Sequence, residues 1–131
     1  MITETVRFAK KNLGSPDVTR DCGHGKLELT TLDDVTLARF TLQPGWKWSE
    51  HIRPRANTES CQVQHLQYVI SGRLRIVQAD GSQMDLESGD FASIPPGHDA
   101  WVVGDEPFVC IDFSPDMKQY AEESGESRHS C

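Results

Sequence analysis

Between residues 26 and 113 apolar and polar positions alternate with a period of two, and glycine, proline or aspartate interrupts the alternation at short intervals. Successive side chains of an extended strand point to opposite faces, so this pattern predicts half-buried strands. LELTTL runs into the turn Asp33-Asp34 and returns as VTLARFTLQ, with Ala38, Phe40 and Leu42 on one face and Val35 and Leu37 on the other. Pro44-Gly45 ends that strand. HLQYVISGRLRIV, residues 65–77, carries the strongest strand pattern, and the glycine of its Ser71-Gly72 step predicts a bulge or tight bend. Asp80-Gly81 predicts a hairpin that leads back through QMDLESGD. FASIPP, AWVVGD and FVCIDF follow, the last with Val109, Ile111 and Phe113 sharing a face.

Short strands with turn signals roughly every 8–12 residues predict an antiparallel all-β sandwich or barrel. No window of a dozen residues within 26–113 has a helical period. Residues 1–25 are weakly patterned: VRFAKK reads as a short helix or arm, broken by Gly14-Ser15-Pro16-Asp17. Residues 26–115 form the expected barrel, and 116–131 read as a polar, flexible tail.

A chain of 131 residues with 37% apolar and 25% charged positions is expected to fold as one ordinary globular domain. No apolar run approaches the roughly 18 residues of a membrane span, and MITETVRFAKKNLG lacks a signal-peptide core, so a cytoplasmic location is expected. The net charge of −7, with no basic cluster beyond Arg53-Pro-Arg55 and Arg73-Leu-Arg75, argues against nucleic acid or an anionic membrane as partner. A small molecule or another protein remains. Cys22, Cys61, Cys110 and Cys131 form no CxxC pair and read as free thiols. The chain contains no GxSxG elbow, phosphate-binding glycine loop or HExxH.

Three stretches stand out together: GWKWSEH (45–51), HLQYVISG (65–72) and GDFASIPPG (89–97). In these the chain resembles the cupin family of small β-barrels. That family's first motif runs glycine, five residues, histidine, one residue, histidine, then glutamate, six residues and glycine. Gly45 with His51 fits its start and Gly72 its end. Gly89, Pro95 and Gly97 fit the second motif without gaps. The resemblance spans about residues 26–113 and implies a cupin double-stranded β-helix, a jelly-roll-like barrel. At the metal-binding positions the chain departs from the family. The second histidine falls on Arg53, the glutamate on His65, and the last histidine on Ala100, two residues after His98.

The resemblance implies a divalent metal (Zn, Fe, Ni or Mn) and a ligand set of His51, His65 and His98. His98 shares a strand face with Ala100, while Cys61 and Gln67 share the parity of His65 and are further candidate ligands. A Cys61 thiolate would favour zinc. Arg53 keeps its charge, would repel a divalent ion and suits an anionic ligand. Trp48 and Trp101 are candidate pocket-lining or interface residues. Two function classes follow. One is a small-molecule-binding cupin with a divalent metal, extending to an oxygenase- or isomerase-type enzyme. The other is a metal-free ligand-binding or sensing module. A homodimer is expected in either case. No residue stands out as a general base, so the sequence leaves the question of catalysis open.

Overall fold

The computed structural model describes residues 7–56 and 58–122. Among the described residues nine strands form in chain order: β1 Val18–Asp21, β2 Gly25–Leu32, β3 Val35–Leu42, β4 His65–Ser71, β5 Arg73–Gln78, β6 Gln83–Glu87, β7 Phe91–Ile94, β8 His98–Val102 and β9 Phe108–Asp112. They build a six-stranded sheet in the order β1-β2-β3-β9-β4-β7 and a three-stranded sheet in the order β6-β5-β8. All pairings are antiparallel. The alternation read from the sequence becomes an inner face on which Leu27, Leu29, Phe40, Leu74, Ile76 and Phe108 are buried. Ala38, Phe40 and Leu42 are the inward face of β3, as expected.

In β9 the buried residues are Phe108, Cys110 and Asp112, whereas Val109, Ile111 and Phe113 are only half-buried. The outer face of the large sheet is itself apolar here. Ile111 and Phe113 meet Leu37, Tyr68 and Phe91 on it, and Phe91 stacks on Phe113 with ring centroids 5.7 Å apart. With hydrocarbon on both faces, apolar content alone does not tell inside from outside.

Two segments depart from the expected plan. Before the barrel, β1 pairs with β2, so the segment expected as an arm contributes a strand to the sheet. After it, residues Asp116–Glu122 form a helix, α3, where a polar tail is expected. Met117 and Tyr120 lie three apart, hence on one helix face, and both are buried. Arg20 holds the end of α3 by donating from Nε and Nη2 to the Tyr120 carbonyl, at 3.2 and 2.7 Å. His129 and Cys131 lie outside the described residues. Cys61 and Cys110 are free, but Cys22 is disulfide-bonded, which corrects the reading of all four cysteines as thiols. Separation along the chain does not report proximity after folding.

Two single-turn helices, α1 Trp48–His51 and α2 Arg53–Ala56, fill the connection from β3 to β4. They and the strand that follows cover one side of the barrel. The bend expected at Gly72 joins β4 to β5 between the two sheets. Its φ of +81° is a left-handed conformation, and an added Cβ would collide with the Pro107 carbonyl oxygen and Phe108 Cα. No flexible side chain can yield there, because the obstruction is backbone. A Gly72→Ala substitution is therefore expected to cost about 2–4 kcal/mol, combining left-handed strain with overpacking. Urea unfolding measures this cost, and a loss below about 0.5 kcal/mol would contradict the steric account.

Candidate metal centre

β4 turns His65 and Gln67 inward and sends Leu66 and Tyr68 the other way. Opposite them, Asp112 ends β9 on the same inner face, paired in register with Gln67. The Asp112 carboxylate is fully buried. It accepts from His65 Nδ1 at 2.5 Å and Gln67 Nε2 at 3.3 Å, and from the backbone N–H groups of Leu66 (3.2 Å) and Ser114 (3.1 Å). A carboxylate acts here as acceptor, so His65 carries a proton on Nδ1 and turns Nε2 into the barrel.

His98 is placed by a different device. Pro95-Pro96 withhold two N–H groups, Gly97 takes a φ of +96°, and β8 begins at His98. The His98 Nδ1 lies 2.9 Å from the Pro95 carbonyl oxygen. A carbonyl can only accept, so the proton again sits on Nδ1 and Nε2 is left with its lone pair when the ring is neutral.

Cys61 enters through an isolated antiparallel bridge to His98. Its N–H donates to the His98 carbonyl at 2.8 Å, and the Gly97 N–H donates to the Cys61 carbonyl at 2.6 Å. This clamp holds the Cys61 Sγ 3.8 Å from His65 Nε2. The donor atoms of Cys61, His65 and His98 all lie within 4.8 Å of one another, and all three residues are buried. No other such group of His, Cys, Asp or Glu occurs among the described residues. Gln67 adds a buried side-chain oxygen, Oε1, that has no hydrogen-bond partner.

Of the expected set, this group holds His65 and His98 and leaves out His51, and Cys61, a further candidate, stands with them. His51 is half-buried at the end of α1, with Nδ1 3.1 Å from both the N–H and the carbonyl oxygen of Lys47. Its ring stacks on His24 at 5.7 Å. The reason is local: a helical turn stands where the motif frame supposes a strand, so His51 is rotated off the barrel axis. Arg53, on α2, is exposed and faces Glu59 at 3.8 Å. Trp101 lies on the face of β8 opposite His98, under the Lys47 ammonium at 4.8 Å. Trp48 is buried and lines the inner cavity. Asp99 caps α1 by accepting from the Ser49 N–H at 3.1 Å. Asp112 is the residue that sequence reasoning missed; the available signal was its parity with Phe108 and Cys110.

The donor set fits a small ion. Two donors on one tetrahedral zinc are separated by about 3.4–3.8 Å, close to the observed thiol–imidazole spacing. The enclosed space beside these residues is about 30 Å³, bounded by Phe40, Leu74, Ile76 and Ile94 among others. That is room for an ion or a water, not for an organic ligand.

The profile of the cupin domain family matches residues 38–114. The chain belongs to the cupin family, and its two antiparallel sheets make the double-stranded β-helix of that family. No curated protein matches it in sequence. Among solved structures it is similar to a protein of unknown function from Rhizobium leguminosarum bv. viciae 3841, at 18% identity and a TM-score of 0.59. That alignment covers 82% of this chain and 96% of the other. A DUF1255 protein from Acidithiobacillus ferrooxidans shares 20% identity over 76% of this chain and 88% of its own, with a TM-score of 0.55. A cupin-like protein from Thermotoga maritima shares 20% identity over 84% and 80%, with a TM-score of 0.50. At these identities the likeness concerns the fold.

The electrostatics of the metal-free cluster follow from its contacts. Burial alone would push the Cys61 thiol up, but hydrogen bonds with His65 and then His98, and their charges, bring it down to about 6. Burial alone would lower His65, but Asp112 and Cys61 raise it to about 10. The ordinary values are 9.0 for the thiol and 6.5 for the imidazole. The lowered thiol adds stability as pH rises from about 6 to 9.0, and the raised imidazole removes it from 6.5 to about 10. Between 6.5 and 9.0 the two slopes cancel, because folded and unfolded chains bind the same number of protons at this pair. The pair's contribution should therefore form a plateau across pH 6.5–9.0, lost as pH falls from 6.5 to about 6 and as it rises from 9.0 to about 10. Thermal unfolding of the metal-free protein against pH, minus that of His65→Gln, isolates it; a monotonic difference across pH 6.5–9.0 would refute the ion pair.

Proposed function

We propose that this chain is a metal-binding cupin in which Cys61, His65 and His98 hold one divalent ion, with Gln67 Oε1 as a nearby fourth donor. The reading is carried by one observation. Both imidazoles have Nδ1 tied to an acceptor, which leaves both Nε2 lone pairs for the space occupied by the Cys61 sulfur. Without an ion the two Nε2 atoms can serve only as partners of the Cys61 sulfur, and the unpartnered Gln67 oxygen remains a cost of about 1–3 kcal/mol. A thiolate with two imidazoles favours zinc and disfavours manganese, which prefers oxygen donors.

When bound, such an ion supplies Lewis acidity toward a carbonyl, hydroxyl or water oxygen. The chain's own residues do the rest. Asp112 and the Pro95 carbonyl orient the two rings, Phe40, Leu74 and Ile76 exclude bulk water, and Gln67 offers its oxygen. Arg53 has no place in this site, so the anionic ligand it suggested loses its support.

Metal analysis of untagged protein is expected to give about one equivalent of zinc. Cobalt substitution should produce a thiolate-to-cobalt charge-transfer absorption. A Cys61→Ala, His65→Ala double variant should lose both signals, while His51→Ala keeps them. Absence of metal after loading and dialysis would discard this reading in favour of a metal-free binding module.

A further inference from the structure

The barrel interior is nearly filled, yet a larger cavity of about 200 Å³ lies beside it. α1, α2, the strand-like segment around Cys61 and α3 enclose this second space. Trp48 and Cys61 line both cavities and form the wall between them. Its other apolar surfaces come from Ile52, Ala56, Val63 and Tyr120. The polar lining consists of Thr58, Gln62, Gln119 and Asp116. Among the described residues no lysine, arginine or histidine lines it.

Asp116 is half-buried and supplies the only charge among the described lining residues. Its Oδ2 accepts from the Gln64 N–H at 2.9 Å, and Oδ1 has no partner among the described residues. Lys118, two residues on, is turned to Asp34 at 3.0 Å, and Arg53 of α2 is turned to Glu59 at 3.8 Å; neither lines the cavity. A carboxylate oxygen at a cavity whose other polar lining, Thr58, Gln62 and Gln119, is neutral attracts a cation and repels an anion.

We infer that this side cavity is a binding site for a small organic amine: a protonated ammonium directed at Asp116 and a flat apolar body against Trp48 and Val63. The inference rests on the proposed metal centre only in one respect, that a ligand seated here touches Cys61 from the side away from the histidines. The site lies outside the barrel, so the ligand need not pass through the filled interior.

The test uses benzylamine, benzyl alcohol and benzoate, which share one ring and differ in charge. Each is titrated into metal-depleted, full-length protein and followed by amide chemical shifts of Ala56 and Val63. Benzylamine should bind about tenfold or more tighter than benzoate, with benzyl alcohol between them. Asp116→Asn keeps an acceptor for the Gln64 N–H and should erase the preference for benzylamine without abolishing benzyl alcohol binding. Val63→Trp, which fills the cavity, should abolish all three while leaving zinc uptake unchanged. Benzoate binding as tightly as benzylamine, or none of the three probes binding, would overturn the inference. Because zinc uptake is measured separately, failure of the amine site leaves the metal centre standing, and failure of the metal centre leaves the titration interpretable.

Discussion

The buried carboxylate of Asp112 is the constraint on which the site depends. An ionised group with no access to water costs several kcal/mol unless donors surround it. Four do: one imidazole, one side-chain amide and two backbone N–H groups. Three of these come from consecutive residues of β4, so satisfying Asp112 fixes how β4 lies against β9. It also fixes which nitrogen of His65 and which atom of Gln67 face the interior. The inward lone pairs follow from an acid–base requirement on the strand next door.

The connection between β3 and β4 is where this cupin diverges most from the motif frame of its family. The extra residues between His51 and His65 do more than lengthen a loop. They fold into one single turn of helix, α2, bring Cys61 back against β8, and supply most of one wall of the side cavity. One insertion thus provides a sulfur donor and encloses a second space behind it. The thiol is held by backbone hydrogen bonds on both its N–H and its carbonyl, so its position depends little on side-chain packing.

Much of the barrel was legible in the sequence because alternation, Asp33-Asp34, Asp80-Gly81, Gly72 and Pro95-Pro96-Gly97 act locally. Each sets backbone direction within a few residues. The site was less legible because it depends on contacts between residues far apart in the chain. His65 and Asp112 are 47 residues apart, and β9 shows hydrocarbon on both faces, which hid the inward parity of Asp112. His51 was misplaced because a four-residue helix turns successive side chains by about 100°, not by the 180° of a strand. α3 was read as tail because its apolar face consists of only Met117 and Tyr120 before the polar run begins. Cys61 did share the parity of His65, but no sequence signal announces a bridge to His98.

The most direct measurement of the central claim is X-ray absorption fine structure of the zinc-loaded protein. The account requires one sulfur at about 2.3 Å and two imidazole nitrogens at about 2.0–2.1 Å, with the sulfur shell lost in Cys61→Ser. A first shell of nitrogen and oxygen alone in the unsubstituted protein would contradict it.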